Sequence, residues 1–150
     1  MTDTILADQR TAYLTLLLRH MTEHRLVDTV SLIKLPHDSY DTGAVELYPR
    51  NTTDLAVFAA WLRSLRGPTV TVWALSKQFA RCVHVMAVGG LDDGTATQVR
   101  VIVEDDEFDL LAVNTPLAKD AEIPVELMLS LVSAEAAEAS VDESAMAGAS

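Results

Sequence analysis

Only one cysteine, Cys82, occurs in the 150 residues. No internal disulfide can form, and a reducing, cytoplasmic setting is the simplest reading. No apolar run approaches the roughly 18 residues that a membrane-spanning helix requires. The first ten residues, MTDTILADQR, carry Asp3 and Asp8 in place of a basic leader, which predicts no secretory signal. There is no glycine-rich phosphate loop, no neighbouring nucleophile and base, no closed set of metal ligands and no internal repeat. The sequence therefore names no catalytic residue, no cofactor and no metal site.

Positive charge is scarce in one place only. Residues 1–103 hold ten Lys/Arg against ten Asp/Glu, whereas residues 104–150 hold Lys119 against twelve acids, so the net charge of −11 belongs to the C-terminal third. A neutral body with no basic patch argues against nucleic-acid binding, and acids confined to one end argue against mimicry of DNA.

What is present is a regular alternation of helical and extended patterns. Leu14, Leu17, Leu18 and Met21 predict a first helix over Thr4–Leu26. His20 and His24 lie four apart on it, a spacing able to hold a metal, but no acidic or sulfur ligand completes the set and both read as solvated. TVSLIKL (29–35) and AVELY (44–48) predict a hairpin, each strand ended by proline. The link PHDSYDTG holds His37, Asp38 and Asp41, whose types suit acid–base or metal chemistry but equally suit turns. Asn51 is placed to cap a second helix with Leu55, Phe58, Ala59, Leu62 and Leu65 as its stripe, widened by Val57 and Trp61 and stopped at Gly67 and Pro68.

TVTVWAL (69–75), ARCVHVMAV (80–88) and TQVRVIVE (97–104) then predict an antiparallel meander. A three-residue loop of Asp92, Asp93 and Gly94 sets Val85 opposite Val101 and Val83 opposite Val103. The preceding turn is expected to set Val72 opposite Val83 and Val70 opposite Val85. One face is then dry: Val70, Val72, Ala74, Val83, Val85, Ala87, Val99, Val101 and Val103. The other mixes Thr71, Trp73, Leu75, Cys82, His84, Met86, Gln98, Arg100, Ile102 and Glu104, too polar for a sealed core and too apolar for water. After it, EDDEFD (104–109) reads as a solvated acidic cap and lacks the donor spacing of a calcium loop. A third helix is expected from Pro124, with Val125, Met128, Leu129 and Val132 on one side. Residues 1–138 form one predicted α+β domain, and residues 139–150 an acidic disordered tail.

This order, helix-strand-strand-helix-strand-strand-strand-helix, predicts a five-stranded antiparallel sheet. It resembles the Roadblock/LC7 and profilin-like architectures in element order alone, without a shared motif. That resemblance implies a small, often dimeric regulatory or scaffold protein. Cys82 and His84, two apart on a strand, stand roughly 6.5 Å apart and are not a reactive pair; they read as core and interface filling. The mixed face needs a cover: the third helix, a second subunit, or a partner. Trp73, Met86 and Arg100 are types enriched at interfaces and share that face with His84 and Glu104. The expectation is a non-enzymatic protein-binding module (regulatory, chaperone-like or inhibitory), possible as a homodimer. The competing expectation is a small enzyme or ligand-binding domain using the His37, Asp38, Asp41 loop or the His84 face.

Overall fold

The computed structural model describes residues 2–38, 40–47, 54–75 and 81–132. The expected cap at Asn51, the link after the first meander strand and the C-terminal tail lie outside these residues. In chain order the elements are α1 (Thr2–Glu23), a 3-10 turn (Val27–Thr29), β1 (Val30–Lys34), β2 (Gly43–Leu47), α2 (Asp54–Ser64) and β3 (Arg66–Leu75). There follow β4 (Cys82–Gly90), β5 (Ala96–Glu104), α3 (Asp105–Asn114) and β6 (Glu122–Ile123). Residues 125–132 are again helical and are termed α4.

The sheet has six strands in the order β1-β2-β5-β4-β3-β6. It is mixed, which corrects the expected five-stranded antiparallel sheet. β2 runs parallel to β5, with Val45 beside Val99 and Glu46 beside Arg100; every other neighbouring pair is antiparallel. The α2 segment makes this joint possible, since a parallel neighbour needs a long connection that can return the chain to the same end of the sheet. The sixth strand is two residues long, too short for alternation to reveal. It pairs Ile123 with Val70 and Glu122 with Thr71.

The β4–β5 register is as the alternation predicts, including Val85 with Val101 and Val83 with Val103. Gly94 takes φ +92° in the connecting loop, the left-handed conformation that favours glycine. In β3 the register differs by two residues: Val72 pairs with Val85 and Val70 with Ala87, and an irregularity follows before Ala74 meets His84. A shift of two preserves the face assignment as far as Val72. Beyond the irregularity Ala74 pairs with His84 of the mixed face and Leu75 with Val83 of the dry one, so the expected places of these two residues are exchanged in the pairing.

All the helical stripes drain into one buried cluster on the dry face. Val70, Val72, Val83, Val85, Ala87, Val99, Val101 and Val103 pack there with Leu55, Phe58, Trp61 and Leu62 of α2. On α1 the buried stripe is Tyr13, Leu17, His20 and Met21, while Leu18 is exposed. The expected stripe was thus rotated, because Tyr13 rather than Leu14 leads it. The helix ends where Arg25 turns left-handed and the Leu26 amide reaches back to the Met21 carbonyl at 2.8 Å.

Two further expectations are corrected. The acidic run after Glu104 is the start of α3, not a cap: Asp105, Asp106 and Glu107 fill its first turn, where the positive end of the helix dipole favours carboxylates. Arg81 also pairs with Asp106 and Asp109 on its outer side, and Leu111 anchors the helix to the core. Met128 and Leu131 of α4 belong to the same buried cluster as the valines, so the last described helix covers the dry face and not the mixed one.

Candidate functional site

The mixed face lies open among the described residues. One row of paired residues crosses all six strands on it: Leu32, Glu46, Arg100, Met86, Thr71 and Glu122. Leu32 and Ile102 are each 45% exposed there and Trp73 41%. These are large apolar groups held in solvent by a rigid sheet.

Arg100 is the centre of the arrangement. Its guanidinium lies over the Trp73 ring at 4.5 Å from the centroid, a cation–π contact. One terminal nitrogen donates to Gln98 Oε1 at 2.9 Å; the other lies 3.8 Å from Glu46 Oε1, which is shared with Lys34 Nζ at 3.2 Å. Arg100 Nε is buried and has no hydrogen-bond partner among the described residues. The His84 ring meets Trp73 edge-on, centroids 6.0 Å apart. Ser31, Glu46, Trp73, His84, Arg100 and Ile102 border a shallow hollow of about 210 Å³.

Of the residues expected on this surface, Trp73, His84, Met86, Arg100 and Glu104 all fall on it. Trp73, His84 and Arg100 form one contact group, Met86 sits beside Arg100 in the row, and Glu104 lies farther along, paired with Cys82. The Cys82 thiol is buried. Burial pushes its pKa up, and the Glu104 and Asp105 carboxylates add to the rise. A thiol so placed is a poor nucleophile at neutral pH.

The loop candidates spend polar atoms on their own turn. Asp38 Oδ1 accepts from the Tyr40 amide at 2.9 Å, and Asp41 Oδ2 accepts from the His37 amide at 2.8 Å, which is the local bonding that makes aspartate a turn residue. Arg10 Nε fastens this loop to α1 through the Pro36 carbonyl at 2.8 Å. A second hollow of about 310 Å³ lies beside it, bordered by Tyr13, Pro36, Asp41 and Gly43.

A third grouping was not legible as a set. His20 is not solvated: it is fully buried, stacked on Trp61 at 5.9 Å and against His24 at 4.4 Å between centroids. Asp92, from the β4–β5 loop, places Oδ1 at 3.4 Å from His20 Nδ1 and 3.0 Å from His24 Nε2. The third ligand type that the helix alone lacks thus arrives from 68 residues away. The available signal was position: His20 follows Leu17 and Tyr13 on the buried stripe, where a solvated ring does not belong.

No protein-family model, curated protein or solved structure matches this chain. Among the described residues, no helix is long and apolar enough to cross a membrane.

Proposed function

We propose that the chain is a non-enzymatic protein–protein interaction module that docks a protein, in the first instance a second copy of itself, through the open sheet face. The observation that carries this reading is that Leu32, Trp73 and Ile102 stand exposed on a sheet face, while the described helices pack into the core on the opposite side. Isolated exposed apolar groups are ordinary, whereas three on one rigid face mark a contact surface. Self-association is favoured because the same face carries both signs of charge. A two-fold axis brings each element of a patch to its counterpart, so Arg100 of one copy can meet Glu46 of the other. Such a module would act as a regulatory, chaperone-like or inhibitory partner in the cytoplasm, without nucleic acid or membrane.

A ligand-binding or enzymatic role for the His37, Asp38, Asp41 loop draws its support from the hollow beside Asp41. It is the weaker reading, since the two aspartates are engaged in the turn.

The test is the double variant Trp73→Ala with Arg100→Glu, measured for solution mass or partner affinity and for unfolding free energy. Association should weaken by more than about 2 kcal/mol, as at an interface hot spot, with the fold retained. A folded variant of unchanged mass and unchanged partner affinity would overturn the proposal.

A further inference from the structure

The His20, His24, Asp92 grouping poses a problem of protons that a bound cation resolves. Ser64 donates its one hydroxyl hydrogen to the Trp61 carbonyl at 2.7 Å. Its oxygen can therefore only accept from His20 Nε2, 2.9 Å away. That contact fixes the proton of a neutral His20 on Nε2 and leaves Nδ1 as a bare lone pair. The lone pair points at Asp92 Oδ1, itself an acceptor. Neither His20 Nδ1 nor Asp92 Oδ2, both shielded from solvent, has a hydrogen-bond partner among the described residues, and buried polar atoms left unpaired are uncommon. The Glu23 carboxyl also adjoins Asp92. Protonating His20 would relieve the clash, but burial works against the imidazolium.

The donor spacing suits an ion. Two ligand atoms each about 2.1 Å from a tetrahedral ion stand about 3.4 Å apart; the observed pairs with Asp92 Oδ1 are 3.4 and 3.0 Å, and all three donor atoms lie within 4.8 Å of one another. The histidines sit one helical turn apart on α1. Asp92 is free to face them because its neighbour Asp93 supplies the turn bonds, accepting from the Thr95 amide and hydroxyl at 2.9 and 2.8 Å. The Ser64 contact supplies the outer hydrogen bond that orients a ligating imidazole. Two imidazoles and one carboxylate suit a borderline transition metal better than calcium or magnesium, which prefer oxygen alone.

We propose that His20 Nδ1, His24 Nε2 and Asp92 bind one divalent transition-metal ion of the zinc class, tying the end of α1 to the β4–β5 loop. His24 and Asp92 are each more than one third exposed, so the fourth position faces solvent.

The test is calorimetric titration of the chelator-treated full chain with Zn²⁺, with Co²⁺ absorption as an independent readout and thermal unfolding with and without Zn²⁺. The expected result is one ion per chain, visible Co²⁺ bands and a melting temperature raised by Zn²⁺. His24→Ala and Asp92→Asn, both at partly exposed positions, should abolish the stoichiometric site and the thermal shift while the chain stays folded. Ser64→Ala should weaken binding about 10–100-fold. Absence of stoichiometric binding by the native chain overturns the proposal. So does binding that His24→Ala and Asp92→Asn leave unchanged, which would put the ion on acidic groups elsewhere. The sheet-face double variant should bind Zn²⁺ normally, so this result and the docking result stand or fall separately.

Discussion

Tyr13 shows how one side chain fixes the relation of a helix to a sheet. Its hydroxyl meets Thr97 Oγ1 at 2.7 Å in the interior, and its ring occupies the space where a Cβ on Gly43 would stand. Glycine is required at that position by packing rather than by backbone angle. Burial raises the Tyr13 pKa, and the Thr97 hydrogen bond only partly offsets the rise. The native state therefore keeps its phenol proton at a pH where the unfolded chain, titrating near about 10, has begun to lose it. Stability from this source is complete below about pH 10 and falls as the pH rises through the native value. Tyr13→Phe should cost about 1 kcal/mol at neutral pH through the lost buried hydrogen bond to the Thr97 hydroxyl. It should also flatten the alkaline loss of stability, as read from denaturant midpoints between pH 8 and 11. An equally steep alkaline limb in the variant would show that another group is responsible.

At the scale of elements, α3 and α2 are tied end to end by a hydrogen bond. Glu107 Oε2 accepts from the Leu55 amide at 3.1 Å, so a side chain in the first turn of one helix satisfies a free donor in the first turn of another. Glu107→Ala should lower stability by about 1 kcal/mol, in the range of a lost N-cap, and Glu107→Gln should recover most of it because an amide oxygen can still accept. Paired urea unfolding curves of the two variants check this; identical losses would mean that charge, not the hydrogen bond, matters. The same element marks the limit of what sequence alone discloses. The hairpin, the α2 stripe, the β4–β5 register and the sheet faces up to Val72 of β3 were legible, because each rests on local periodicity or a single turn. The acidic start of α3 was not, since five carboxylates in six positions look like mutual repulsion until the helix end and Arg81 are there to receive them. The β2–β5 joint and the Asp92 contact with α1 depend on pairings across 54 and 68 residues, for which local pattern holds no record. Trp73, His84 and Arg100 were placed on a common face by alternation; their contacts with one another depend on side-chain conformation, which alternation does not foretell.

For the whole molecule, the two ends of the sheet differ from its open face in what they offer to another chain. At one end β1 presents Lys34, half exposed and engaged with Glu46, beside an irregularity between Val30 and Leu32. At the other, β6 spans only two residues. Short, bent or charged margins discourage strand-to-strand addition, a mode of growth that exposes a fresh margin with every chain added. A face has no such successor: two copies joined face to face leave no third surface of the same kind. Light scattering across a concentration series should accordingly rise to a plateau at twice the chain mass. A mass that kept climbing would mean that a margin, not the Trp73 face, is the adhesive surface. The bend and the lysine in β1 would then be the features that set how large the assembly can become, and the protein's solubility would hinge on the strand farthest from its centre.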